Sequence, residues 1–169
     1  MKPDPLHLRT QPTSQSQFDA AFGVLARVGT WLERKGRHQR IGLTSRGTYE
    51  SWQTAGWNHV VLHDHTIVGV FSLCHVTLAD WQDSAPAHPV PFLRALATDP
   101  DWSGCGVGAF GIAAAIDVAA PQAVWLDCVS DFLPDYYSRH GFHRINRRII
   151  HADDQEYDVS LMCSRLTDN

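Results

Sequence analysis

Hydrophobic positions in the first half of the chain change from a helical spacing to two strand-like runs. Residues 14–35 carry large apolar side chains three or four positions apart, which predicts a helix that ends at a basic segment followed by glycine. A weaker helical pattern covers residues 45–54. Two β-rich runs follow, over residues 57–62 and 66–76, and they predict a β-hairpin that turns at residues 63–65.

The second half predicts strands and helices in alternation, after one long loop. The loop covers residues 78–91, which contain three prolines and no periodic pattern. A short edge strand is also predicted near the start, at residues 6–9. After the loop, the predicted elements are a strand at 92–98, a helix at 107–119, a buried strand at 122–129, a short helix at 133–140, and strands at 142–151 and 157–165 joined by a turn at 152–156.

The order of these elements limits the architecture. A strand, a helix and a second strand in succession require one parallel crossover, whereas the hairpins at both ends of the order are antiparallel. The sequence therefore predicts an α/β (α+β) fold with a mixed sheet and helices on both faces. A chain of 169 residues that is 44% hydrophobic can close one sizeable core, so we expect a single domain over residues 1–169.

The overall charge excludes some classes of partner. A formal charge of −4 gives no general attraction to nucleic acid or to an anionic membrane. No apolar run reaches transmembrane length, and the polar, proline-containing residues 1–13 lack the pattern of a signal peptide. We therefore expect neither a nucleic-acid nor a membrane partner; the protein is expected to be cytoplasmic, as a monomer or a homodimer.

The cysteines and histidines favour a protein without a metal site. Cys74, Cys105, Cys128 and Cys163 have no CxxC spacing, and three of them lie in strand-like segments, which favours buried free thiols in a reducing compartment. The histidines at residues 63–65 flank an aspartate, but they fall between two strands, where a polar turn is expected. No HxxxH pattern or paired Cys/His framework supports zinc.

A glycine-rich segment follows the predicted strand at residues 92–98. Its sequence is Ser103-Gly-Cys-Gly-Val-Gly108, and it opens the helix at residues 107–119. The first amides of a helix have no internal partner and lie at the positive end of its dipole, so they suit a phosphate. The segment lacks the lysine of a nucleotide P-loop, and its spacing differs from the GxGxxG of a dinucleotide site. A plain strand-to-helix turn remains the alternative.

A second motif, taken together with this loop, indicates which family of proteins the chain resembles. Tyr136-Tyr137-Ser138-Arg139-His140-Gly141-Phe142 follows the strand at residues 122–129. Together the two motifs resemble the GNAT superfamily of acyl-CoA-dependent N-acetyltransferases, whose signature is Arg/Gln-x-x-Gly-x-Gly/Ala and then Phe/Tyr-Tyr-x-x-x-Gly-Phe. The resemblance spans nearly the whole chain and is most specific over residues 92–142. It implies a mixed, mostly antiparallel sheet of six to seven strands, with a central splayed parallel pair and about four flanking helices.

The resemblance implies acetyl-CoA as co-substrate. The pantetheine arm would pair with the strand at residues 92–98, and the loop amides would hold the pyrophosphate. Ser103 departs from the family, which has arginine or glutamine at that position. Arg139 is a candidate to bind a phosphate in place of that side chain. Alternatively, Arg139 is a solvated surface charge. The expected coenzyme-binding residues are Leu96, Ala97, Thr98, Ser103, Gly104, Cys105, Gly106, Val107, Gly108, Ala109, Ser130 and Arg139.

By the same resemblance, the acetyl group passes directly to an amine. The backbone at Leu96 would polarise the thioester oxygen. Tyr137 occupies the position of the family's general acid and would protonate the leaving thiolate, whereas Tyr136 is expected to pack. Direct transfer needs no covalent intermediate, which argues against Cys105 as an acyl carrier.

The base and the acceptor are less defined by the sequence. Many family members have a glutamate near the fourth strand, but residues 88–98 contain none. His88 is the nearest titratable side chain, with His75, Asp80 and Asp83 as further candidates, and a base acting through water is the alternative. The acceptor is expected to be a small primary amine, bound between the early helices and the loop at residues 78–91, which contributes Trp81. A CoA-binding sensor or partner module without catalysis is the competing interpretation.

Overall fold

One mixed sheet of seven strands forms the centre of the molecule, in the order β1-β2-β3-β4-β5-β7-β6. The structure is a computed structural model that describes residues 7–37, 44–152 and 154–164. The strands are β1 (Leu8–Pro12), β2 (Asn58–His63), β3 (Thr66–Val76), β4 (Val90–Thr98), β5 (Trp125–Val129), β6 (Phe142–Ala152) and β7 (Gln155–Ser164). The helices are α1 (Phe18–Arg34), α2 (Arg46–Thr54), α3 (Val107–Ala119) and α4 (Leu133–Ser138).

The pairing of the strands confirms the predicted mixed, mostly antiparallel sheet. Neighbouring strands are antiparallel except for β4 and β5, which are parallel and pair through a single position, Phe92 with Trp125. That position lies near the start of both strands. Beyond it β4 and β5 separate, so a cleft opens toward their carboxyl ends.

Each face of the sheet is covered by a different set of segments. On one face α3 packs over a core that includes Phe71, Ile112 and Leu126, and α4 lies against its edge. On the other face α1 and α2 cover Val60 and Val70. The segment before β4 covers the rest of that face, in a cluster that includes Trp81, Phe92 and Leu161. Helices therefore lie on both faces, as predicted.

The helices begin where local chemistry favours them. The Ser45 hydroxyl accepts a hydrogen bond from the amide of Thr48 at 3.1 Å, which caps the first turn of α2. Pro134 stands in the first turn of α4, where the missing amide has no cost. In α1, apolar residues such as Ala21, Val24 and Val28 are buried along one face.

Several predicted boundaries are wrong by a few residues. The first helix is preceded by a 3₁₀ turn over Gln15–Gln17, and α1 itself begins at Phe18. β1 continues to Pro12, and β4 begins at Val90, although prolines at 89 and 91 are residue types that strands disfavour. β5 is shorter than predicted and begins at Trp125. Residues 6 and 165, the predicted outer limits of the first and last strands, lie outside the described residues.

The segment between β3 and β4 is more ordered than an unpatterned loop. It contains a 3₁₀ turn, Ala79–Trp81, and the Trp81 side chain is only 1% exposed. The guanidinium of Arg148 lies 4.3 Å from the centre of the Trp81 ring, and the Asn146 side chain donates to the Ser84 hydroxyl at 2.6 Å. These contacts fix the segment against β6.

The turn and thiol predictions are confirmed. A turn at Asp64 and His65, with Asp64 at φ 53°, joins β2 to β3. Cys74, Cys128 and Cys163 are buried free thiols. Within the described ranges, no helix has the length and apolar character needed to cross a membrane, and no cluster of three or more His, Cys, Asp or Glu side chains could hold a metal ion.

Candidate functional site

A bulge in β4 shapes the cleft between β4 and β5. Val70 pairs with Ala97 and Ser72 with Arg94, so two residues of β4 oppose Phe71 of β3. Ala95 takes up the extra residue with a positive φ of 50°, which non-glycine residues rarely adopt. A bulge bends its strand and increases its twist. The bend turns the end of β4 away from β5 and places Leu96 on the α3 side of the sheet.

The glycine loop lies directly beyond the carboxyl end of β4. Gly104 and Gly106 have φ angles of 75° and 81°, which explains why glycine occupies both positions. The amide of Phe110 is bonded to the Gly106 carbonyl and closes the first turn of α3. The three amides before it, at residues 107–109, have no partner within a helix. Of the predicted loop donors, the Cys105 amide is already bonded to Trp102 O at 3.2 Å.

An ion pair fixes the turn that leads into this loop. The Arg27 guanidinium of α1 donates to Asp99 Oδ2 at 2.5 Å, and Asp99 Oδ1 accepts from the Asp101 amide at 3.1 Å. The amide of Asp99 also donates to Val68 O at 2.9 Å. Asp99 is nearly buried, so these bonds hold the start of the loop between α1 and β3. The loop therefore meets α3 in a fixed position.

Tyr136 lies against the first turn of α3. A β-carbon placed on Gly108 would stand 2.7 Å from the Tyr136 hydroxyl and 3.5 Å from the Thr98 hydroxyl. The phenol thus contacts the helix backbone at a distance that only glycine permits. This contact joins α4, β4 and the beginning of α3 at one point, and it is the kind of packing that the sequence predicts for Tyr136.

Replacing Gly108 by alanine should weaken the site through this contact. We expect a loss of about 1–3 kcal/mol in the free energy of unfolding, because the added methyl group forces the phenol out of its position. The double variant Gly108→Ala/Tyr136→Phe removes the clashing oxygen and should recover most of that loss in urea unfolding. Equal stability of the single and double variants would contradict the contact.

A cavity of about 230 Å³ lies beside the glycine loop, between α1, the end of β4 and the start of α4. Three of the predicted coenzyme-binding strand residues and Ser103 of the loop line it together. The lining residues are Val28, Trp31, Leu32, Arg37, Leu96, Ala97, Thr98, Pro100, Ser103, Phe132, Leu133 and Tyr136. The cavity is mainly apolar, with the loop at one side, as suits an aliphatic arm that ends in phosphates.

Tyr137 is the next residue of α4 after Tyr136 and is half-buried; it does not line the cavity itself. Its ring packs edge-on against Phe142 at 5.8 Å and against Tyr136 at 5.4 Å between centres. Burial, with smaller contributions from Cys128, Tyr136 and Asp127, raises the pKa of the Tyr137 phenol well above its ordinary value of 10. A tyrosine phenol is already protonated at neutral pH, and this shift keeps Tyr137 a hydrogen-bond donor to higher pH. Asp127, which the sequence did not single out, accepts from Trp81 Nε1 at 3.5 Å.

Three other residues that are predicted to contact the coenzyme do not line the cavity. The Ser130 hydroxyl is 2.6 Å from that of Ser160, so it is engaged with β7. Arg139 is exposed at the end of α4. Cys105 is half-buried, with its sulfur 3.8 Å from Ser103 O.

The candidate bases lie at the wrong end of β4. His88 is exposed and precedes the strand, whereas the cavity lies beyond its far end. With about 3.3 Å per residue, Val90 and Leu96 are about 20 Å apart. His75 pairs with Pro91 at the same distant end, and Asp80 is exposed there.

The sequence also predicts that the segment before β4 contributes Trp81 to the acceptor site and Asp83 as a further candidate base. Trp81 is a core residue, so the prediction that it lines an open acceptor site is wrong. Asp83 is exposed in the same segment. The described structure thus brings Leu96–Thr98 and Ser103 together with Tyr136 around one cavity, with Tyr137 next to Tyr136 on α4, and it leaves the predicted bases at the other end of β4.

Comparison with known proteins identifies the fold. No family model matches the sequence, and no curated protein matches it. Solved structures do match over nearly the whole chain. A GNAT-family acetyltransferase from Streptococcus agalactiae aligns with a TM-score of 0.77 at 10% identity, covering 96% of each chain. A histone acetyltransferase HPA2-related acetyltransferase from Corynebacterium glutamicum aligns at 0.70 and 21% identity, covering 96% of this chain and 98% of that one.

A third solved structure contains the coenzyme. RimL, an alpha-N-protein acetyltransferase in complex with coenzyme A, aligns with a TM-score of 0.68 at 14% identity, covering 98% of this chain and 97% of that one. These likenesses show that the chain has the GNAT fold, as its motifs predict. Within that fold, the splayed β4–β5 pair and the glycine loop form the candidate functional site.

Proposed function

We propose that this protein is an N-acetyltransferase that moves an acetyl group from acetyl-CoA to a primary amine. The observation that carries the proposal is the position of the glycine loop. Its first residue, Ser103, lines an apolar cavity at the open end of the β4–β5 cleft. A phosphate-binding helix start beside an aliphatic groove matches the two halves of coenzyme A. The fold shared with solved acetyltransferases adds support.

The residues present fit the coenzyme. The amides at residues 107–109 are free of helical partners and would bind the pyrophosphate. Thr98 and Ala97 lie on the cavity wall with Leu96, where the pantetheine arm would run along the strand. When bound, the coenzyme would supply an activated acetyl group as a thioester.

We assign the transfer to direct attack by the amine. Its nitrogen forms a bond to the thioester carbon while the C–S bond breaks. The backbone of Leu96 would polarise the carbonyl oxygen, because the bulge at Ala95 aims this part of β4 into the cleft. The protonated phenol of Tyr137 would give its proton to the departing thiolate. Cys105 has no role in this sequence of steps.

Water is the base that the geometry favours. The attacking amine must lose a proton, and His88 precedes β4, whose first residue, Val90, is about 20 Å from Leu96 at the reacting end. We therefore propose that a water molecule in the cleft takes the proton and passes it to bulk solvent. In this mechanism His88, an exposed histidine of the segment before β4, takes no part in the transfer.

We also propose that the acceptor is a small amine and that the protein acts in the cytoplasm, as a monomer or homodimer. The three buried free thiols support a reducing compartment. The exposed carboxylates Asp80 and Asp83 lie in the segment before β4, away from the cavity, so they do not set the charge of the acceptor.

A non-catalytic CoA sensor is the second candidate function. The observations in its favour are Ser103, where a longer polar side chain is typical, and the absence of glutamate from residues 88–98. Calorimetric titration with acetyl-CoA, followed by thiol release with a panel of primary amines, separates the two. The proposed enzyme both binds acetyl-CoA and releases thiol with at least one amine, whereas a sensor binds without turnover on any of them.

A further inference from the structure

The cavity wall opposite the glycine loop carries an arginine. Arg37 follows the end of α1, and its amide donates to the Leu32 carbonyl at 3.0 Å. Its guanidinium carbon lies 4.7 Å from the centre of the Phe132 ring, at the start of α4. Both side chains line the cavity together with Ser103. Arg37 therefore reaches across the groove from the α1 side to the α4 side.

The stacked position leaves the hydrogen-bonding edge of this guanidinium available. Stacking on an aromatic ring uses the face of the group, whereas its five N–H donors point outward in the plane. Phe132 is 44% exposed, so the stack lies at the mouth of the cavity and not inside the core. An anion that enters beside the ring can be bound by two parallel N–H groups.

The charge of the cavity is concentrated on this one residue. Among the residues that line it in the described structure, Arg37 is the one with a charged side chain. Arg27 is nearby on α1, but it is paired with Asp99. Coenzyme A carries a pyrophosphate and a 3′-phosphate, and the Ser103 side chain is too short to extend toward them.

We propose that Arg37 binds a phosphate group of coenzyme A. It would supply, from the end of α1, the long polar contact that the glycine loop lacks at Ser103. This inference rests on the proposed function, because it takes coenzyme A as the ligand. It makes Arg37 a coenzyme-specificity residue that distinguishes phosphorylated donors from phosphate-free ones.

Binding of two ligands tests this role. Coenzyme A carries the phosphates, and pantetheine has the same thiol arm without them. Arg37→Ala should weaken binding of coenzyme A by about 10- to 100-fold, as expected for loss of a charge-assisted hydrogen bond. It should leave the dissociation constant of pantetheine, measured by NMR titration, unchanged. Arg34→Ala removes the same charge from an exposed position on α1 and serves as the matched control.

Rescue makes the test stricter. Adding Ser103→Arg to the Arg37→Ala variant returns a guanidinium to the groove from the loop side and should recover at least part of the lost affinity. Arg37→Gln keeps a planar stacking group without the charge and should bind coenzyme A as weakly as Arg37→Ala. Circular dichroism melts of all variants would exclude unfolding as the cause.

The possible failures are distinguishable. If the unmodified protein binds no coenzyme A, the proposed function itself is wrong. If it binds coenzyme A and Arg37→Ala binds equally well, only the role of Arg37 is overturned. An equal loss of coenzyme A and pantetheine binding would also overturn it, since Arg37 would then shape the cavity and not contact a phosphate.

Discussion

Replacing Tyr137 by phenylalanine should lower kcat about 100-fold or more, with little change in the dissociation constant of coenzyme A. The phenol, like any tyrosine, is protonated at neutral pH and can donate to the thiolate as the C–S bond breaks; burial raises its pKa further and so keeps it in the donor form. Phenylalanine keeps the edge-on contact with Phe142 and removes only the donor. Steady-state kinetics at saturating acetyl-CoA and amine would measure the effect.

Tyr136→Phe is the matched control for this experiment. It also removes one hydroxyl from α4, but that hydroxyl contacts the backbone of Gly108 at the start of α3. We expect Tyr136→Phe to alter coenzyme binding more than turnover. Equal kcat for the unmodified protein and Tyr137→Phe would remove Tyr137 from the mechanism. A larger loss of kcat in Tyr136→Phe would assign the proton donor to Tyr136 instead.

Since the pKa of Tyr137 is raised, its ionisation should not reduce activity below about pH 10.

Replacing Gly69 by alanine should lower the free energy of unfolding by about 3 kcal/mol or more. A β-carbon at this position would lie 2.6 Å from Val107 Cγ1 and 3.0 Å from the Ala97 carbonyl oxygen. Val107 is buried and begins α3, so neither neighbour can move without shifting the helix or β4. The same shift would displace the glycine loop, and coenzyme affinity should fall together with stability.

Two further variants, measured by urea unfolding, test whether the clash of the added β-carbon causes that loss of stability. Gly47 lies in α2 with open space around it, so Gly47→Ala should be neutral or slightly stabilising. Val107→Ala in the Gly69→Ala background removes one of the two clashes and should return part of the stability. An unfolding midpoint for Gly69→Ala equal to that of the unmodified protein would contradict the close approach of α3 to β3.

The sequence predicts those parts of the fold that follow from local patterns. The β-rich apolar runs of β2 and β3, with polar residues at the turn between them, are enough to place the hairpin. The glycines at 104 and 106 have positive φ angles, which explains why the loop is visible in the sequence. A strand followed by this loop and a helix requires a crossover, so the parallel β4–β5 pair is also predictable.

The parts that sequence reasoning missed depend on contacts between distant segments. The bulge in β4 places an alanine, not a glycine, at positive φ, so no residue type marks it. Arg37 and Phe132 are far apart in sequence and meet only because the end of α1 faces the start of α4 across the cavity. His88 is close to β4 in sequence, but the extended strand carries it away from the cavity. Trp81 falls in a proline-rich segment, yet Arg148 and Asp127 hold it in the core.

Thiol release from acetyl-CoA in the presence of primary amines is the most direct test of the central claim. Carbon-labelled acetyl-CoA would be mixed with the protein and a panel of small amines, and products would be followed by mass spectrometry. We predict a labelled N-acetyl product from at least one amine, formed in equal amount with free coenzyme A and strongly reduced by Tyr137→Phe. Tight binding of acetyl-CoA with no labelled product from any amine would contradict the assignment and favour the sensor.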